Sequence, residues 1–128
     1  MELEIDSVRA DIVRRRADGP VRFQMTVSFE QASVNGESVV VPFRVVRDTG
    51  FVRGILLGRV YLYPDRESLE SVLREVNSEK KPPGLFNLVF LKSQAIFLLL
   101  EDYMGVPPIP VLPVVGGESR RSDVSLYQ

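Results

Sequence analysis

The stretch Lys80–Val115, KKPPGLFNLVFLKSQAIFLLLEDYMGVPPIPVLPVV, decides the fold. Its middle part, from about Leu85 to Met104, reads as a helix. Apolar residues at 85, 86, 88–91, 95–100, 103 and 104 cover most of its circumference at 100° per residue. A helix that is apolar all round is normally buried. Gly105 stands where a C′ residue ends a helix, and Pro107, Pro108, Pro110 and Pro113 forbid helix beyond it. The run is therefore a loop (Pro82–Phe86), a long apolar helix, and a stiff extended apolar tail. One sheet can cover one side of such a helix. The other side needs a second copy of the chain, or it accepts apolar segments of other proteins.

Upstream the periodicity is two rather than 3.6. Val21, Phe23, Met25, Val27 and Phe29 alternate with Arg22, Gln24, Thr26, Ser28 and Glu30, giving one dry and one wet face. Leu3–Val13 forms an earlier strand. Asn35-Gly36 is a hairpin signal, and Ser38–Arg47 follows with Val39, Val41, Phe43 and Val45 on one face. Pro42 lacks a ladder donor, which predicts an edge strand or a bulge. Asp48-Thr49-Gly50 is turn chemistry. Phe51–Tyr63 makes a fourth strand, and its Gly54 and Gly58 mark a bulge or a close backbone approach. Asp65 is placed to cap a short amphipathic helix carrying Leu69, Val72, Leu73 and Val76.

Strands followed by helices predict an α+β fold: a four-stranded antiparallel sheet with a short and a long helix packed on one face. A chain of 128 residues is one domain in length. Residues 1–115 are expected to form it, and residues 116–128, GGESRRSDVSLYQ, to be a polar tail without order.

Composition narrows the chemistry. Without cysteine or histidine the chain has no disulfide, no thiolate, no imidazole base and no common zinc ligand set. No phosphate-binding glycine loop and no nucleophile elbow is present. The reading is a non-enzyme with no cofactor, no metal and no catalytic residue. The formal net charge is −1, so no global field draws the chain to nucleic acid or anionic membrane. Leu85–Leu100 carries Asn87, Lys92, Ser93 and Gln94 and falls short of the roughly 20 apolar residues of a membrane span. No secretory signal opens the sequence. A soluble, cytoplasmic protein without membrane insertion is expected.

The order of elements resembles the SecB family of export chaperones. Val89-Phe90 looks like that family's Leu-Phe pair at the start of its long helix. Gly105-Val106-Pro107-Pro108-Ile109-Pro110 looks like its apolar proline-containing tail. Leu91-Lys92-Ser93-Gln94 stands where the family has Pro-Tyr-Ala-Arg, and the near-neutral charge departs from the family's acidic surface for the export motor SecA.

The resemblance implies an ATP-independent holdase for unfolded polypeptides, built as a dimer or dimer of dimers. Clients would lie in apolar grooves beside the connecting loop and long helix. The candidate peptide-binding residues are Val89 and Phe90, with Leu85 and Phe86 from the loop and Tyr61 and Tyr63 from a strand end. Tyrosine suits such a surface because its body is apolar and its tip polar. Two other readings stand beside it. One is an oligomeric adaptor or structural subunit with a fixed partner, including clients of the toxin–antitoxin kind. The other is a nucleic-acid-binding β-domain using Arg9, Arg14, Arg15, Arg16 and Arg22.

Overall fold

Alternation builds the sheet seen in the computed structural model, which describes residues 1–112 and, by backbone alone, 119–122. The strands are β1 (Glu2–Ile12), β2 (Phe23–Phe29), β3 (Ser33–Asn35), β4 (Ser38–Asp48), β5 (Val52–Leu62) and β6 (Ser119–Ser122). They form one antiparallel sheet in the order β1-β5-β4-β2-β6, with β3 also paired to β4. The helices are α1 (Leu69–Asn77), preceded by a 3-10 turn at Arg66–Ser68, and α2 (Pro83–Met104). The α+β architecture is therefore as expected, with two short strands added. The expectation for the polar tail falls mostly outside the described residues. The four described residues within it are those of β6.

The dry face is the one read from parity. Met25, Val27, Val39, Val41, Phe43, Val45, Leu56 and Val60 are buried together with Leu85, Val89, Phe90 and Phe97 of α2. Each of these side chains contributes on the order of 1.5–3 kcal/mol when fully buried. β4 is not an edge strand, contrary to the expectation from Pro42. Its neighbour changes there instead. β2 ends its pairing at Phe29↔Phe43, and β3 begins at Ser33↔Val40. The Pro42 carbonyl still accepts Glu30 N–H at 2.9 Å. The missing N–H therefore falls in the break between two partner strands and costs no ladder bond.

Both strand glycines meet a close neighbour. Gly54 leaves the space in which the Phe97 ring lies. Gly58 lies against Phe43 and Glu4, opposite a bulge that inserts Asp6 between Ile5 and Ser7 of β1. At the β3–β4 hairpin Gly36 takes φ 63° at the first central position, as a type II′ turn requires.

Pro83 opens α2 at its first turn, where an absent N–H is harmless. Gly105, at φ 76°, closes it. Gly105 N–H donates to Asp102 O and Val106 N–H to Glu101 O, the paired bonds of a Schellman motif. Arg15 adds a donor to Met104 O, placing a cation at the negative helix end. Asp65, expected as a helix cap, makes no side-chain cap bond; it precedes the 3-10 turn, and its carbonyl accepts Ser68 N–H.

The tail from Val106 is held on the structure through its backbone. Gln94 pairs its side-chain amide with both backbone groups of Val111, at 2.6 and 2.8 Å. Ile109 N–H donates to Glu101, and Ile109 O accepts from Arg47. Val106, Ile109 and Val111 are buried while Pro107, Pro108, Pro110 and Leu112 face out. The prolines thus occupy outward positions, where a backbone donor would have no partner on the domain. Asn77 of α1 uses the same device on Ala32, bonding both its N–H and its C=O.

At 22 residues α2 is about 33 Å long at 1.5 Å per residue. By length and composition it could cross a bilayer, which corrects the shorter span counted from sequence. Here its inward arc, including the charged Glu101, is packed against the sheet.

Candidate functional site

Both helices and the tail cover the dry face of the sheet. Among the described residues nothing covers the opposite face, and β5 gives it its character. Gly54, Leu56, Gly58 and Val60 point inward, so Arg53, Ile55, Leu57, Arg59 and Tyr61 point outward. β5 is apolar on both faces at its middle. Ile55 is 40% exposed and Leu57 41%. Val46 of β4 lies beside Ile55, and Val40 beside Tyr61. The result is an apolar strip running along a central strand.

Charges wall the strip in pairs. Arg9 meets Asp11 at 3.1 Å and Arg53 meets Asp48 at 3.3 Å. Between them is a hollow of about 350 Å³ whose lining includes Val46, Ile55 and Gln24. Arg59 closes the other end. It donates to Asp6 through two nitrogens, at 3.2 and 2.9 Å, and to Glu4 at 2.7 Å. The β1 bulge adds the residue that supplies Asp6, a known use of bulges. The bond to Asp6 raises the Arg59 pKa further, and its guanidinium lies 5.7 Å from the centre of the Tyr61 ring. Tyr63 donates its hydroxyl to Glu2 at 3.1 Å. Partial desolvation, then that bond, hold the Tyr63 hydroxyl above the ordinary tyrosine value.

These positions separate the residues expected to bind peptide. Tyr61 and Tyr63 lie at the open face, Tyr63 well exposed. Leu85, Phe86, Val89 and Phe90 lie on the far side of the sheet and are at most 4% exposed. In the single chain they are core, because the inward arc of α2 includes all four. The Phe86 and Phe90 rings pack at 5.5 Å between centroids. Ile55 and Leu57 were missed by the sequence reading. The signal was the run Ile55-Leu56-Leu57, which makes a strand greasy on both faces.

Such a surface can hold an extended chain by apolar contact, with charged walls to orient it. Among the described residues no acidic cluster is arranged to hold a metal ion.

The comparison with solved structures gives the frame. The chain superposes on the Mycobacterium tuberculosis SecB-like chaperone Rv1957, solved in complex with a ChAD peptide from the Rv1956 HigA1 antitoxin, with a TM-score of 0.61 over 89% of this chain and 88% of that one. The fold is SecB-like. Sequence identity is 10%, so the likeness lies in the arrangement of elements. No protein-family model and no curated protein matches the sequence.

Proposed function

We propose that the chain is an ATP-independent holdase, not an enzyme, that binds unfolded or extended apolar segments of other polypeptides on the open face of its sheet. It works as a homo-oligomer, a dimer or dimer of dimers, in the cytoplasm. The observation that carries this reading is the uncovered apolar strip of Val46, Ile55, Leu57 and Tyr61, walled by ion pairs, while both helices occupy the other face. The fold adds support, since the SecB-like neighbour was solved with a bound peptide. Tyr61 and Tyr63 belong to the proposed surface. Leu85, Phe86, Val89 and Phe90 support it as the core that fixes the sheet.

A second reading is an adaptor with one fixed partner. The neighbour's complex with a peptide from one antitoxin favours it. Export clients remain within the first reading. The nucleic-acid reading loses weight because Arg14 and Arg15 are spent on backbone carbonyls and Arg9 on Asp11.

The test is suppression of aggregation of a chemically unfolded client, followed by light scattering. I55D/L57D is expected to lose suppression while keeping its circular dichroism and melting temperature. Undiminished suppression by the folded variant removes the reading. Suppression across unrelated clients supports a holdase; action on one alone supports the adaptor.

A further inference from the structure

The rungs of the open face differ in charge, and the rung of Arg44 stands apart. Directly opposite residues of antiparallel neighbours share a face. Ser28 of β2 lies opposite Arg44, Leu57 of β5 lies on its other side, and Ser7 of β1 lies beyond Leu57. Along β4 itself the same-face neighbours of Arg44 are Pro42 and Val46. The cation is therefore set among apolar and hydroxyl side chains, with no acid directly opposite it.

Arg44 is exposed and has no hydrogen bond or ion pair among the described residues. The other cations of this face are taken: Arg9 by Asp11, Arg53 by Asp48, and Arg59 by Glu4 and Asp6. Glu30, the acid diagonal to Arg44, lines a separate hollow with Asn77 and Lys81 beside α1. The surplus acid of the face lies along β1, at Glu2, Glu4 and Asp6, two strands away from Arg44.

An uncompensated cation inside an apolar strip repels a basic partner and attracts a carboxylate. A carboxylate can accept from two N–H groups of the guanidinium, with the Ser28 hydroxyl beside it as a further donor. Apolar contact around the pair excludes water and strengthens it. An extended chain repeats its inward side chains about every 6.6 Å, which is the rung spacing of the sheet. With its acid over Arg44, its next inward residue on one side lies over Val46 and Ile55, both apolar.

We propose that the open face selects extended segments in which an acidic residue has an apolar one two positions away, and that Arg44 makes the choice. This rests on the client reading of the sheet face and narrows its clients to acid-bearing ones.

Fluorescence anisotropy with short labelled peptides tests it. The peptides are apolar at alternate positions except the centre, which is glutamate, glutamine or lysine. The wild-type protein is expected to bind the glutamate peptide about tenfold tighter than the lysine peptide, with glutamine between them. The preference should shrink with added salt. R44E should invert the order, and R44Q should bring the glutamate and lysine peptides within about threefold of each other. The wild-type order needs no variant to read, and circular dichroism checks the fold of both variants.

Equal binding of all three peptides by the wild-type protein overturns the proposal and leaves the client reading intact. So does a preference that R44E leaves unchanged. Tight binding of a single-stranded oligonucleotide that R44E abolishes would give Arg44 to phosphate instead. Loss of self-association in R44E would give it to a second copy. Either result overturns the proposal. Binding of none of the three peptides removes the client reading and this inference with it.

Discussion

Arg47 and Glu101 form an ion pair at 2.7 and 2.9 Å with both side chains fully buried. It joins β4 to the last turn of α2 and fastens Ile109 of the tail to both. Gln94 adds a third buried partner to Arg47 at 3.2 Å. The Phe97 ring lies 5.8 Å from the Arg47 guanidinium, in the space Gly54 leaves open. Sheet, helix and tail thus meet at one charged point inside an apolar core. Isolated charges there would be costly, and mutual bonding is what makes them tolerable.

Removing one partner strands the other. R47M alone or E101L alone should cost roughly 3–5 kcal/mol of stability. R47M/E101L together should cost much less than the sum, keeping about 1–3 kcal/mol for the unpaired backbone groups of Ile109. Urea denaturation of all four proteins measures the coupling. Additive losses would mean that the two side chains act independently.

Ser93, on the buried arc of the same helix, has a hydroxyl without a hydrogen-bond partner among the described residues. S93A is expected to hold stability or raise it by up to about 1 kcal/mol, because it deletes an unsatisfied buried group and improves helix propensity. The same denaturation experiment reads it. A loss above that size would point to a partner for the hydroxyl in the assembled protein.

Tyr63 should ionise above the ordinary tyrosine value of 10.0. Its raised pKa favours the neutral, hydrogen-bonded form. The associated stability is present below the unfolded-state pKa and is lost as pH rises through the folded one. Absorbance titration of the phenolate should show E2Q moving Tyr63 downward. Equal titration in both proteins would separate Tyr63 from Glu2.

Much of the fold was legible because parity and helical period are local properties. Val39-Val41-Phe43-Val45 and the run to Gly105 each announced their own geometry. Arg47 was legible in part: it shares parity with Val45, so a buried arginine was implied, but its partner lies 54 positions on. Glu101-Asp102 stands at a helix end that favours cations, so the sequence leaves it either facing solvent or paired with an arginine, and packing decides for the pair at Glu101. Pro42 misled because strand position depends on neighbours, and a change of partner excuses a proline as well as an edge does. The site was less legible. Leu85, Phe86, Val89 and Phe90 are apolar whether they face a client or the core, and only the sheet decides which.

The most direct test of the central claim is site-specific photo-crosslinking to an unfolded client. A photoreactive side chain is placed at Leu57 of the open face in one variant and at Phe90 beneath the sheet in another, both checked for native circular dichroism. The surface described here predicts strong client adducts from position 57 and few from position 90. Adducts from position 90 with none from position 57 would contradict it and move the client to the helix side.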